Sequence, residues 1–153
     1  DTSVLFENQS AIFDEPFGVL NSLLLADGFY LQLATNAYLE TPFFVLNVQT
    51  RANQMCNVRN RIELGENAEL TIIERFVSLV NDTEQTACTN VVTEIHLDKQ
   101  ARCKQVLMQE QNDQAYYFNN QFIYQADNSN FNTFYGGLGS QLSRHQNHIY
   151  MNG

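Results

Sequence analysis

The chain is poor in the residues that would commit it to a special chemistry or deny it a core. Of 153 residues, none is tryptophan, two are proline, seven are glycine and three are cysteine. So little proline and glycine rules out a low-complexity chain. Cys56, Cys88 and Cys103 are odd in number and form no Cys-x-x-Cys pair, which fits a reducing compartment better than a disulfide framework. Basic residues are scarce as well: eight Lys and Arg stand against 17 Asp and Glu, a formal charge of −9. A phosphate-tracking protein needs a basic face and a membrane-surface helix needs a Lys/Arg-rich one, so neither nucleic acid nor membrane is an expected partner. No apolar run approaches the ~20 residues that span a bilayer. The longest, 23–26 and 43–46, fit core elements. The first ten residues are acidic and polar and do not resemble a signal peptide. Asn8-Gln9-Ser10 and Asn81-Asp82-Thr83 match the glycosylation sequon, a short motif that we read as unmodified at both places.

What is present is a 44% hydrophobic content, enough for one domain with a real core, and a repeat. In Arg61-Ile-Glu-Leu-Gly-Glu-Asn-Ala-Glu-Leu-Thr-Ile72, Ile62 and Leu64 alternate with polar residues. Gly65-Glu66-Asn67 then make a corner, and Ala68, Leu70 and Ile72 resume the alternation. The unit is strand, corner, strand. It recurs upstream around Leu31, Leu33, Asn36 and Ala37, and downstream around Ile95, Leu97, Gln100 and Ala101. A looser copy lies around Ile123, Gln125, Asn128 and Ser129. The small corner residue returns after 31, 33 and 28 positions. A period near 30 marks a solenoid, because one such unit cannot bury its apolar face alone. Asparagine at the corners fits stacked coils, where its amide reaches the coils above and below. An antiparallel sandwich is the competing architecture, but its turn signals come every 8–12 residues with no corner motif recurring near 30.

Taken in order, 4–6 reads as a short strand and 14–26 as a helix. Asp14 serves as its cap, Pro16 sits in the first turn, and Phe17, Leu20 and Leu24 recur at helical spacing. Asp27-Gly28 ends it, and the apolar stripe is expected to cover the first coil as a cap. Strand-like runs follow at 29–33, 43–48, 61–64, 68–77, 90–97, 101–109, 114–125, 130–135 and 145–151. At Glu74-Arg75 the alternation looks broken, which predicts a bend or bulge. The expected fold is therefore all-β, a parallel β-helix with one short N-terminal helix, as a single domain over 1–153 with coils from 29 onward. The start without Met and the stop at a strand–corner boundary point to a piece of something longer. A last coil truncated this way is expected to hide its interior by pairing end to end with another copy or by local rearrangement.

Candidate chemistry is sparse. His96 lies between Ile95 and Leu97, so it should point outward, and His145 and His148 should fall on opposite strand faces. Cys103 takes the place of Leu70 in the repeat and should behave as a small core hydrophobe. Cys56 and Cys88 have no clear activating neighbour, although Arg59 is near Cys56. Glu63, Glu66, Glu69 and Glu74 invite comparison with a glycosidase pair but read as a solvated outer face. Gly136-Gly137-Leu138-Gly139 is followed by no helix signal, as a phosphate loop would require. Tyr116-Tyr117-Phe118 and 131–135 read as sheet residues, without the Lys or Arg of a nucleic-acid platform. No residue is assigned a catalytic, cofactor-binding or metal role, and no stoichiometric zinc or iron is expected.

Residues 61–76, followed by Asn90-Val-Val-Thr-Glu-Ile-His-Leu-Asp98, resemble the SufB/SufD scaffold subunits of bacterial and plastid iron–sulfur cluster assembly. Leu107-Met-Gln-Glu-Gln111, the Gly136-Gly137 region within 131–144, and Leu25-Ala-Asp-Gly28 fit the same family. The blocks stand in the right order from about 16 to 153 and lean to the SufD branch. The resemblance implies a right-handed parallel β-helix and a non-catalytic, cytoplasmic bacterial subunit. Such a subunit pairs with a SufB-like paralogue and is driven by a SufC-like ATPase, with an iron–sulfur cluster in the full complex. A Ser-His-Gly-Ala-Thr-type segment and a C-terminal helical region, both expected of SufD-like proteins, do not occur here, so no family residue carries over. The alternative is a β-helical carbohydrate-active enzyme or adhesin, motivated by the outward acids.

Overall fold

The computed structural model describes residues 10–79 and 86–152. The 4–6 run, Asn8 and Gln9 of the first sequon and the whole of the second, 81–83, lie outside the described residues. Nine strands follow two short helices: α1 (Ser10–Phe13), α2 (Pro16–Leu23), β1 (Asp27–Leu33), β2 (Phe43–Gln49), β3 (Met55–Leu64), β4 (Glu69–Ser78), β5 (Ala87–Leu97), β6 (Arg102–Glu110), β7 (Ala115–Gln125), β8 (Asn130–Gly137) and β9 (Leu142–Met151). Odd strands form one sheet in the order β1-β3-β5-β7-β9, and even strands form a second in the order β2-β4-β6-β8. Every pairing is parallel. The chain thus winds as a flattened β-solenoid of about four turns, one strand per sheet in each turn.

The register reproduces the repeat. Leu31 pairs with Ile62, Ile62 with Ile95, and Ile95 with Ile123, spacings of 31, 33 and 28 residues. Asn36, Asn67, Gln100 and Asn128 all turn the chain with φ between 58° and 61°. This left-handed conformation is tolerated best by glycine and asparagine. The small residue after each closes the turn: Ala37, Ala68, Ala101 and Ser129 donate to the carbonyl three residues back at 3.0–3.1 Å. The expected amide ladder is present between the first two coils, where Asn67 Nδ2 donates to Asn36 Oδ1 at 2.9 Å. Gly65 serves close approach, since a Cβ there would lie 2.7 Å from the Thr35 backbone nitrogen of the preceding coil.

The helical segment departs from the expected 14–26 span. Glu15 takes the N-cap position without a side-chain cap bond, and the helix ends at Leu23. Its buried residues are Gly18 and Asn21, while Leu24 is 54% exposed. The helix does not cap the first coil. It crosses the outer face of the odd-strand sheet, where Asn21 Nδ2 donates to the carbonyls of Val58 (2.9 Å) and Asn90 (3.1 Å). Phe17 stacks on Phe118 at 4.0 Å, and Ile12 packs against Val92 and Phe122. Polar side chains binding sheet carbonyls hold it there, which an apolar periodicity cannot announce.

Candidate functional site

Strand β4 shows why the interior is not uniformly apolar. Its buried positions are Leu70, Ile72, Glu74 and Phe76, an unbroken alternation. The expected bend at Glu74-Arg75 is absent, and Glu74 is not part of the solvated face. Five residues after outward Glu69, it falls on the inner parity and is 1% exposed. Glu66 does lie on the surface, and Glu63 and Glu69 are partly exposed on the outer side.

Glu74 belongs to a layer that recurs on each central strand. One apolar compartment contains Ile62, Leu70, Ile72, Ile95, Cys103, Ile123 and Phe131. The other contains Val58, Phe76, Val91, Leu107, Tyr117 and Tyr135. Between the members of the two, each strand inserts a polar residue at an inward position: Asn60, Glu74, Thr93, Gln105, Gln121 and Thr133. Asn60, Thr93 and Gln121 align in register, as do Gln105 and Thr133. Gln105 Nε2 donates to Glu74 Oε1 at 3.1 Å, and Thr133 Oγ1 donates to Gln105 Oε1 at 3.0 Å. Burial pushes the Glu74 carboxyl up to about 7, opposed by the bond from Gln105. Burial also raises the neighbouring phenol of Tyr117, with the Glu74 charge adding to the effect. Part of the signal for this layer was in the sequence: Asn60, Thr93 and Gln121, and Gln105 and Thr133, return at the same 33- and 28-residue spacings as the apolar columns, whereas Glu74 is in register with Leu107.

A second polar cluster lies on the outer face of β3 and β5. Arg59 Nη2 and Glu94 Oε1 are 2.8 Å apart, both side chains fully buried, and Arg59 Nη1 donates to Ser22 Oγ of α2 at 3.1 Å. Beside it, Glu63 accepts from Tyr30 Oη and Arg61 Nε, each at 2.7 Å. Burial raises the Glu63 carboxyl, but these bonds and the charges of Arg61 and His96 hold it below its ordinary value. Nothing in the local sequence marks Arg59 as buried, because its cover comes from a helix 37 residues away.

The histidines and cysteines fall where alternation puts them. His96 points outward and stacks on Tyr124 at 4.6 Å, with Tyr124 on Tyr150 at 5.0 Å. His148 stacks on Phe122 at 4.7 Å on the same outer face, whereas His145 turns inward onto Tyr135 at 4.4 Å. Burial lowers the His145 value. Cys103 pairs in register with Leu70 and is buried, and burial with the nearby Glu74 charge pushes its thiol up to about 12. Burial also raises Cys56 and Cys88, with Asp27 contributing at Cys56. Cys56 sits on an inward position, and Cys88, in register with Met55, on an outward one. No group of three or more His, Cys, Asp or Glu side chains among the described residues converges on a common point.

The carboxylates are dispersed. Glu63 is engaged by Arg61, Glu69 by Arg102 at 2.8 Å, Glu74 by Gln105, Glu94 by Arg59 and Glu110 by Arg75 at 2.7 Å. A glycosidase needs two carboxylates free to face one scissile bond, and each of these five is already engaged by a different partner. The outer face of the even-strand sheet is different in character. Phe44, Ile73, Val106 and Phe134 align in register across all four strands, and Phe44 and Phe134 are more than half exposed.

No helix among the described residues is long and apolar enough to cross a membrane. No curated protein and no solved structure matches the chain at the significance required. A family model does match, over residues 46–153, described as the SUF system FeS cluster assembly SufBD core domain. That span begins inside β2 and takes in every later coil, the polar layer, both flanking apolar compartments and the Arg59–Glu94 pair. With a parallel solenoid and a match to most of its length, the chain belongs to the SufBD core family of iron–sulfur cluster assembly proteins.

Proposed function

We propose that the chain is the β-helical core of a SufD-like scaffold subunit in iron–sulfur cluster assembly. In this reading it performs no catalysis of its own, pairs with a SufB-like paralogue and is driven by a SufC-like ATPase, in the bacterial cytoplasm. The cluster is cargo of the complex, built where the partners meet. Family membership carries the reading. Two features of the chain support a role through contact. Its thiols, one buried and two half-buried, are all raised above the ordinary value by burial, a poor arrangement for holding metal alone. Its even-strand sheet leaves an apolar column bare, and such patches mark sites of protein–protein contact.

The test is co-expression of the whole protein with the SufB-like and SufC-like proteins of the same source, purified anaerobically through a tag on one partner. The reading expects all three to elute together in fixed proportion. Recovery of the tagged partner without this chain would sink it. The carbohydrate-active or adhesin reading gains nothing from the dispersed acids.

A further inference from the structure

The layer between the two apolar compartments contains amides with unmade hydrogen bonds. Gln121 is fully buried, and neither its nitrogen nor its oxygen reaches a protein partner. Asn60 donates weakly to Thr93 Oγ1 at 3.4 Å, and its Oδ1 has no partner. Bordering the layer, at the inward position before Gln121 and in register with Val91, Asn119 donates to Tyr117 Oη at 2.8 Å, and its Oδ1 is also unpaired. A buried polar group left so costs about 1–3 kcal/mol, and native interiors avoid the cost with ordered water that makes two to four bonds.

The free groups define what would bind. The unmade bonds comprise one donor, Gln121 Nε2, and three acceptors, on Gln121, Asn60 and Asn119. An anion would find a single donor and a neighbouring carboxyl. A divalent cation would find one carboxylate, too little charge and too few hard ligands. A small neutral molecule that both donates and accepts fits the set, and water is the smallest.

We propose that this layer holds an internal file of ordered water, bound by Gln121, Asn60 and Asn119 and bordered by the Glu74 carboxyl. The file separates the two apolar compartments along the solenoid. The groups packed about Glu74 accord with it: Gln105 and the Cys103 thiol come from β6 and the Tyr117 phenol from β7. Burial keeps that phenol and thiol protonated, so of the three groups Glu74 is the first to lose its proton as pH rises.

An atomic-resolution crystal structure of the unaltered protein decides the matter. Water density within hydrogen-bonding distance of both amide atoms of Gln121 is expected; dry protein contacts around that amide would overturn the proposal. Gln121→Met gives an independent measure, since methionine keeps the volume and removes both polar atoms. A hydrated layer loses its water contacts, and the unfolding equilibrium should shift roughly tenfold toward the unfolded state. In a dry layer the same change removes an unsatisfied amide, so a comparable shift toward the folded state is the contrary result. If the methionine variant does not fold, the density alone gives the answer.

Discussion

At the scale of the residue, Glu74 is the side chain whose environment departs furthest from what its type leads one to expect. Its carboxyl rises from 4.5 to about 7 because burial disfavours the charged form. The folded value lies above the unfolded one, so the contribution to stability is complete below 4.5 and is lost as pH rises through about 7. A displacement of that size corresponds to about 3 kcal/mol. Urea unfolding across this window should show stability falling with pH, and Glu74→Gln should flatten the curve. A flat curve in the unaltered protein would mean that a compensating positive charge lies beside the carboxyl. The Arg59–Glu94 pair calls for a different measurement. Breaking a fully buried pair from one side leaves an uncompensated charge, so Arg59→Met alone should cost about 3–5 kcal/mol. Arg59→Met with Glu94→Leu should recover most of that, because an apolar replacement of a buried pair is often neutral. A double-mutant cycle by chemical denaturation reads the coupling directly.

At the scale of the element, the corners carry the solenoid. Asn67→Ala forces alanine to φ near 58° and removes the amide bond to Asn36, at a cost of about 1–2 kcal/mol from the backbone alone. Asn67→Gly should retain most of the stability, since glycine accepts the same backbone; equal losses from both substitutions would move the effect from the backbone to the ladder. The helix depends on Asn21, whose amide bridges two sheet carbonyls. Asn21→Leu should free α2 from β3 and β5, seen as faster hydrogen exchange across Pro16–Leu23 while the strands stay protected.

These elements also show what could be read beforehand. All nine strands were legible, because alternation and a 28–33-residue period survive without any tertiary information. The onset of β3 was not: Asn57, Arg59, Asn60 and Arg61 look like a solvated loop and are buried only because α2 lies over one side of them and the polar layer on the other. Glu74 was misplaced for a simpler reason. A carboxylate reads as a surface residue by type, whereas its odd distance from outward Glu69 puts it inside.

At the scale of the whole molecule, two sheets close around a divided interior, one outer face is covered in part by the chain's own helices, and the other presents an apolar column. That division of labour suits a protein that works by being held against others. Family membership supplies the process, and Glu63, Glu69, Glu74, Glu94 and Glu110 are each engaged by a basic or amide partner. The reading also limits what the chain does alone. Its thiols share no site, so the isolated protein, treated anaerobically with ferrous iron and sulfide, should not develop the visible absorbance of a cluster or retain iron after desalting. The most direct measurement compares that sample with the assembled complex under identical treatment. The account predicts a cluster on the complex containing this chain, the SufB-like protein and the SufC-like ATPase, and none on the chain by itself. Stoichiometric iron and sulfide on the isolated chain, or equal cluster formation by the partners without it, would contradict the account.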